Sequence, residues 1–132
     1  MSNVIPPIVI DGDGFFDVYA TVGEACSWLE AVDVDDGLYE AFDSAGHSLR
    51  LFTEGRFVRI DLPADSVSDP EGFARRIRSH IRQIGADQVG VADLENASIP
   101  IMLAALYASQ LAARSRTWPG LLSLLRAWRS SR

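Results

Sequence analysis

A chain of 132 residues has the size of one domain, and such a chain can bury about two thirds of its unfolded surface, so it needs no metal or disulfide to hold a core. Its one cysteine, Cys26, excludes an intramolecular disulfide framework and a cysteine-based zinc site built by this chain alone. A net charge of −6 argues against nucleic acid as a partner.

All twelve basic residues are arginine, a usage that with abundant Ala, Asp and Gly points to a GC-rich bacterial genome. The charge is uneven. Residues 1–70 carry three arginines against fourteen acids, a net −11, and residues 71–132 carry nine arginines against four acids, a net +5. Either the halves neutralise each other within one fold, or an acidic surface faces a basic partner. The start, MSNVIPPIVI, has neither a basic opening nor a long apolar core. The longest apolar run, about eight residues over 99–106, is too short to cross a bilayer. A cytoplasmic protein with no membrane partner is expected.

In chain order, residues 4–10 predict a strand, with Pro6 and Pro7 confined to its start or to a sheet edge because proline lacks an amide donor. Asp11-Gly12-Asp13-Gly14 is a turn signal and residues 15–20 predict a second strand, so 4–20 reads as a hairpin. Thr21 and Glu24 form a capping box opening a helix of about ten residues. Val22, Ala25, Cys26, Leu29 and Val32 recur along it at helical spacing, with Trp28 beside the stripe. Cys26 is then a small buried hydrophobe rather than a nucleophile. An acidic loop, 33–37, leads out of this helix.

Residues 36–63 alternate with period two in three stretches joined by turns at 44–47 and 53–56. Three short antiparallel strands follow, each with one wet and one buried face. Glu40, Asp43, Arg50, Glu54, Arg59 and Asp61 are assigned to the wet faces. Asp69-Pro70 starts a helix with an apolar stripe of Phe73, Ile77, Ile81 and Ile84. Arg75, Arg78 and Arg82 lie on another face, with Arg76 and His80 between them; this face is either solvated or bridges to the acidic half. Gly85 closes the helix. Residues 86–97 lack a helical period, and 88–94 predict a short strand. Ser98 caps a third helix reaching about residue 115, apolar on most sides and so in need of burial or a partner. Trp118-Pro119-Gly120 breaks it before a fourth helix with Leu121, Leu122, Leu124, Leu125 and Trp128 opposite Arg126, Arg129 and Arg132.

The expected fold is a single α+β domain with an antiparallel sheet of about five short strands covered by helices. Its order is ββαβββα over residues 1–85, with a C-terminal helical hairpin over 98–130 packed on that unit.

Two resemblances bear on function. Ile8-Val9-Ile10-Asp11-Gly12-Asp13-Gly14 resembles the first motif of the haloacid-dehalogenase superfamily of phosphatases, which implies Asp11 as nucleophile and Asp13 as acid/base beside a Mg²⁺-bound phosphate. Position 15 is Phe where that family has Thr or Val, no lysine exists to neutralise phosphate, and the acidic pair Asp35 and Asp36 follows too soon for parallel βα units. A hairpin turn is the better account of the motif. Residues 18–51, with the box from Thr21 to Glu24, the acidic loop 33–37 and the strand 39–43, resemble the N-terminal module of small bacterial proteins similar to immunity proteins of polymorphic-toxin systems. That resemblance implies a non-enzymatic binding protein whose acidic surface blocks a basic partner such as a toxin domain. The expected contacts are Trp28, Asp33, Asp35, Asp36, Tyr39 and Glu40. No catalytic residues, cofactor or metal are expected: His47 and His80 have no partner that spacing establishes, and the early acids do not match a calcium loop. The alternatives are self-association as a homodimer through residues 98–130, and a Mg²⁺-dependent phosphatase using Asp11 and Asp13.

Overall fold

The computed structural model describes residues 3–12 and 15–117. Strands β1 (Ile8–Gly12) and β2 (Phe15–Tyr19) form the expected hairpin, with Val9 opposite Val18 and Asp11 opposite Phe16. Helices α1 (Val22–Trp28) and α2 (Ala31–Asp35) follow, then β3 (Tyr39–Phe42), β4 (Ser48–Glu54) and β5 (Phe57–Asp61). The chain continues through α3 (Pro70–Ile84), the single turn α4 (Ala86–Val89), a 3-10 turn (Leu94–Asn96) and α5 (Ile99–Thr117). The sheet order is β2-β1-β3-β4-β5, and every neighbouring pair is antiparallel. This is the α+β architecture that the alternation and capping signals imply. The predicted fourth helix lies outside the described residues.

β1 sits inside the sheet and is buried on both faces, which is why its sequence is a continuous apolar run rather than an alternating one. Ile8 and Ile10 pack with Ala25, Leu29, Val34, Ala41, Leu49, Val58 and Ile60 beneath α1 and α2. Val9 points the other way, to Val18, Phe42 and the apolar sides of α3 and α5. Ile77 and Ile81 of α3 and Met102 of α5 are fully enclosed there, each such side chain contributing about 1.5–3 kcal/mol of burial. No β4 or β5 residue joins this second core, so Arg50, Glu54, Phe57 and Arg59 remain exposed on that side.

Four expectations are corrected. The predicted ten-residue helix is two helices: Leu29 adopts extended backbone, α1 ends, and α2 starts at Ala31 and runs on into the stretch 33–37 expected to be an acidic loop. The break lets Val34 reach the core and turns Val32 outward, because α2 packs along β4 rather than continuing the line of α1. Residues 88–94 form no strand; α4 and the 3-10 turn pack Val89, Val91 and Ala97 against α3 and α5 instead. Ile84, assigned to the buried stripe of α3, is exposed at its end. Asp43, assigned to a wet face, is 0 % exposed.

Asp43 organises a junction of three segments. Its carboxylate accepts from the amides of Ile5 (3.2 Å), Ala45 (3.1 Å) and His47 (3.0 Å), and Oδ2 lies 2.9 Å from His47 Nδ1. A carboxylate only accepts, so the imidazole proton sits on Nδ1. Gly46 in the same loop accepts from the Asp69 amide at 3.1 Å, tying the loop to the start of α3, where the Asp69 side chain caps Gly72.

The two sheet edges are treated differently. At β2, the Gln110 carboxamide of α5 accepts from Val18 N–H and donates to Val18 C=O, both at 2.8 Å, and so occupies the edge as a strand would. Gln110→Leu is expected to cost about 1–3 kcal/mol by orphaning both Val18 groups. Urea unfolding checks it; a variant as stable as the parent would show that water replaces the amide.

Candidate interaction surface

Thr21 Oγ1 accepts from Glu24 N–H at 3.0 Å, as a capping box requires, while the Glu24 carboxylate reaches one residue past the N-cap and accepts from Ala20 N–H at 3.0 Å. This cap starts α1 and thereby places Trp28 at its end and the acids of α2 just beyond, on the same side of the sheet. Trp28 is 58 % exposed, and the guanidinium of Arg114 on α5 lies 4.5 Å from its ring centre. Asp33 accepts from Tyr39 O–H at 3.2 Å, and Asp35 accepts from Thr53 O–H at 2.6 Å. Asp36 closes α2 and is exposed. Tyr39 is half-buried with its ring 5.4 Å from that of Phe15; burial, then Asp33, pushes its hydroxyl pKa up.

Glu40 does not join this set. It points to the opposite side of the sheet, where its carboxylate lies 3.4 Å from Arg76 Nη1, an atom that also binds Asp11 at 2.7 Å. Three residues that the spacing did not single out do belong to it: Glu30 at the start of α2, and Val32 and Leu38, which are 59 % and 47 % exposed. One continuous helix would put Val32 on the buried stripe, and the break at Leu29 exposes it instead. Leu38 directly follows the acidic stretch, at the start of the alternating segment 36–63, and alternation alone does not reveal its exposure.

The arginines of the C-terminal half reach several acids of the N-terminal half but not these. Arg76 holds Asp11 and Glu40, and Arg114 lies 3.7 Å from Asp17. Arg78 donates to the carbonyls of Leu94 and Ala97, and Arg82 pairs with Glu95. Among the described residues no arginine pairs with Glu30, Asp33, Asp35 or Asp36. The acids of residues 30–36 thus have no arginine partner among the described residues, beside exposed Val32 and Leu38 and next to Trp28, whose ring carries the Arg114 guanidinium.

A concavity of about 220 Å³ is lined by Asp11, Phe16, Arg76, Ser79, His80 and Gln83. Its Asp11 is engaged by Arg76, and the His80 ring stacks on Phe16 at 4.4 Å, where burial pushes the imidazole pKa down. Asp13 lies outside the described residues. The antiparallel sheet differs from the parallel one that the phosphatase motif requires, and no three His, Cys, Asp or Glu among the described residues converge as metal ligands. Cys26 is half-buried, and burial raises its thiol pKa, which disfavours the nucleophilic thiolate. No helix among the described residues is long and apolar enough to cross a membrane.

Fold and surface define a small antiparallel α+β protein whose sheet is covered on both sides near its centre. No protein-family model matches the chain, and no curated protein or solved structure is significantly similar to it.

Proposed function

We propose that the protein is a non-enzymatic binding module that docks the α1 and α2 surface onto a basic protein. One observation carries this reading: acids of residues 30–36 stay unpaired by arginine around exposed Trp28, Val32 and Leu38, while Asp11, Asp17 and Glu40 elsewhere are paired. An apolar centre with a charged rim is the usual anatomy of a protein interface. The aromatic anchor would hold the complex, and the acids would steer encounter and reject acidic competitors. The resemblance of residues 18–51 makes an immunity-type inhibitor, covering the basic cleft of a toxin domain, the specific form of the proposal.

The test begins with the tagged chain as bait in a native lysate, followed by titration of the purified basic partner. The double substitution Asp35→Arg, Asp36→Arg is expected to weaken binding about tenfold or more at low salt, mainly through slower association. Trp28→Ala is expected to speed dissociation. Thermal melts of both variants establish that they are folded. Unchanged affinity in both folded variants removes the proposal. Concentration-dependent sedimentation of the chain alone, in place of a basic partner, would favour association through exposed Ile101 and Leu111 of α5.

A further inference from the structure

We propose that the open edge of β5, with the uncovered face of the β4 and β5 hairpin, takes an extended acidic peptide as an added strand. The β2 edge is closed by Gln110. β5 ends the sheet on the other side; α1 packs against this strand, and among the described residues the β5 backbone bonds to nothing beyond the β4 ladder. Alternate residues of an edge strand direct their N–H and C=O groups outward, so β5 offers a template for main-chain pairing.

The charge at this edge selects the occupant. The only three arginines in residues 1–70 are Arg50, Arg56 and Arg59, and all three belong to this hairpin. Arg50 is occupied: its Nε and Nη2 donate to Asp61 at 3.1 and 2.8 Å. Arg56 and Arg59 have no carboxylate partner among the described residues. Their guanidinium carbons lie 5.7 and 5.8 Å from the ring centre of Phe57, which is 58 % exposed. Glu54, across the ladder from Phe57, is the remaining acid on this face, so the face is net positive within an otherwise acidic half.

An added strand alternates its side chains between the two faces of the sheet. Aspartate or glutamate at alternate positions would meet the arginine forks, which match carboxylates in two-point geometry. The ladder supplies affinity and the side chains supply choice, as in other strand-addition complexes. A single nucleic-acid strand would also stack on Phe57, but it has no amide backbone to pair with the β5 edge. The guard role that edge charges often play is compatible with the same arrangement: the arginines repel a basic strand or a second β5 and admit an acidic one. This surface is opposite in sign to the α1 and α2 patch and does not depend on the reading of that patch.

The experiment is fluorescence anisotropy of the full chain at low salt with a labelled synthetic peptide of alternating aspartate and valine. Expected is saturable binding, lost when alternate peptide nitrogens are methylated, and weakened about tenfold or more in the Arg56→Glu, Arg59→Glu variant. Both arginines are exposed, and a thermal melt verifies that this variant folds. The Asp35→Arg, Asp36→Arg variant is expected to bind the peptide at least as well as the parent, which separates the two surfaces. The proposal is overturned by absence of binding at millimolar peptide or by equal binding to the charge-reversed variant. Tighter binding of oligouridine than of the peptide also overturns it. So does sedimentation showing that the edge is filled by a second copy of the chain.

Discussion

Asp43→Ala is expected to destabilise the protein by about 3–5 kcal/mol, because it removes a buried charged acceptor and leaves its partners behind. Three backbone amides, of Ile5, Ala45 and His47, and the His47 imidazole converge on a carboxylate with no exposure. No buried side-chain polar atom is left unpaired among the described residues, so the substitution would introduce unpaired donors where there are none now. The loss is a large fraction of the roughly 5–15 kcal/mol that holds a domain together. It corresponds to a fall in Tm of about 10–20 °C for a chain of this size. Asp43→Asn keeps one carbonyl oxygen and is expected to lose about half as much. Urea unfolding of the three proteins measures both. A cost below about 1 kcal/mol for Asp43→Ala would show that water enters the junction and takes over the carboxylate's bonds.

Gly46→Ala is expected to cost about 2–5 kcal/mol, whereas Gly55→Ala costs about 1 kcal/mol. Both glycines have positive φ, 82° and 60°, so both alanines suffer the left-handed penalty. Only Gly46 adds a collision: a β-carbon there would stand 2.9 Å from the Asp69 carbonyl oxygen, while nothing lies within 4 Å of one at Gly55. The obstacle is backbone, held by the bond from Asp69 N–H to Gly46 C=O, and cannot rotate away. The difference between the two substitutions therefore isolates the approach of the β3 to β4 loop to the start of α3. Equal costs in paired thermal or urea melts would show that the loop shifts freely and that this approach does not matter.

Elements whose signals are local are the ones that could be read in advance. Asp69 with Pro70 marks the start of α3 because an N-cap and a proline at the first helical position act within one turn. Alternation marks β4 and β5 because one side, Leu49, Leu51, Val58 and Ile60, is apolar and the other carries the charges, Arg50, Glu54, Arg59 and Asp61. Thr21 and Glu24 mark α1 for the same reason. The errors fall where partners are distant. Asp43 looks like an exposed strand residue until Ile5, thirty-eight positions earlier, is laid across it. Val32 fits a helical stripe until packing along β4 breaks the helix and gives the core position to Val34. Arg76 looks like a surface charge until it meets Asp11, sixty-five positions away.

The candidate surface divides in the same way. Trp28, Asp33, Asp35 and Asp36 are neighbours in the chain, so proximity alone brings them to one region. Period-two alternation places Tyr39 and Glu40 on opposite sides of the sheet, but only the position of α3 shows that Glu40 belongs with Arg76 rather than with the acids of α2. The sequence by itself determined the α+β class, the turns and capped helix starts, and the imbalance of charge, all of which follow from residue type and short-range spacing. Tertiary structure alone decided that β1 lies between β2 and β3, that Gln110 closes one edge while β5 stays open, and which acids keep no arginine. Those outcomes depend on which faces are buried against each other, and burial is a property of the whole assembled core rather than of any stretch of chain.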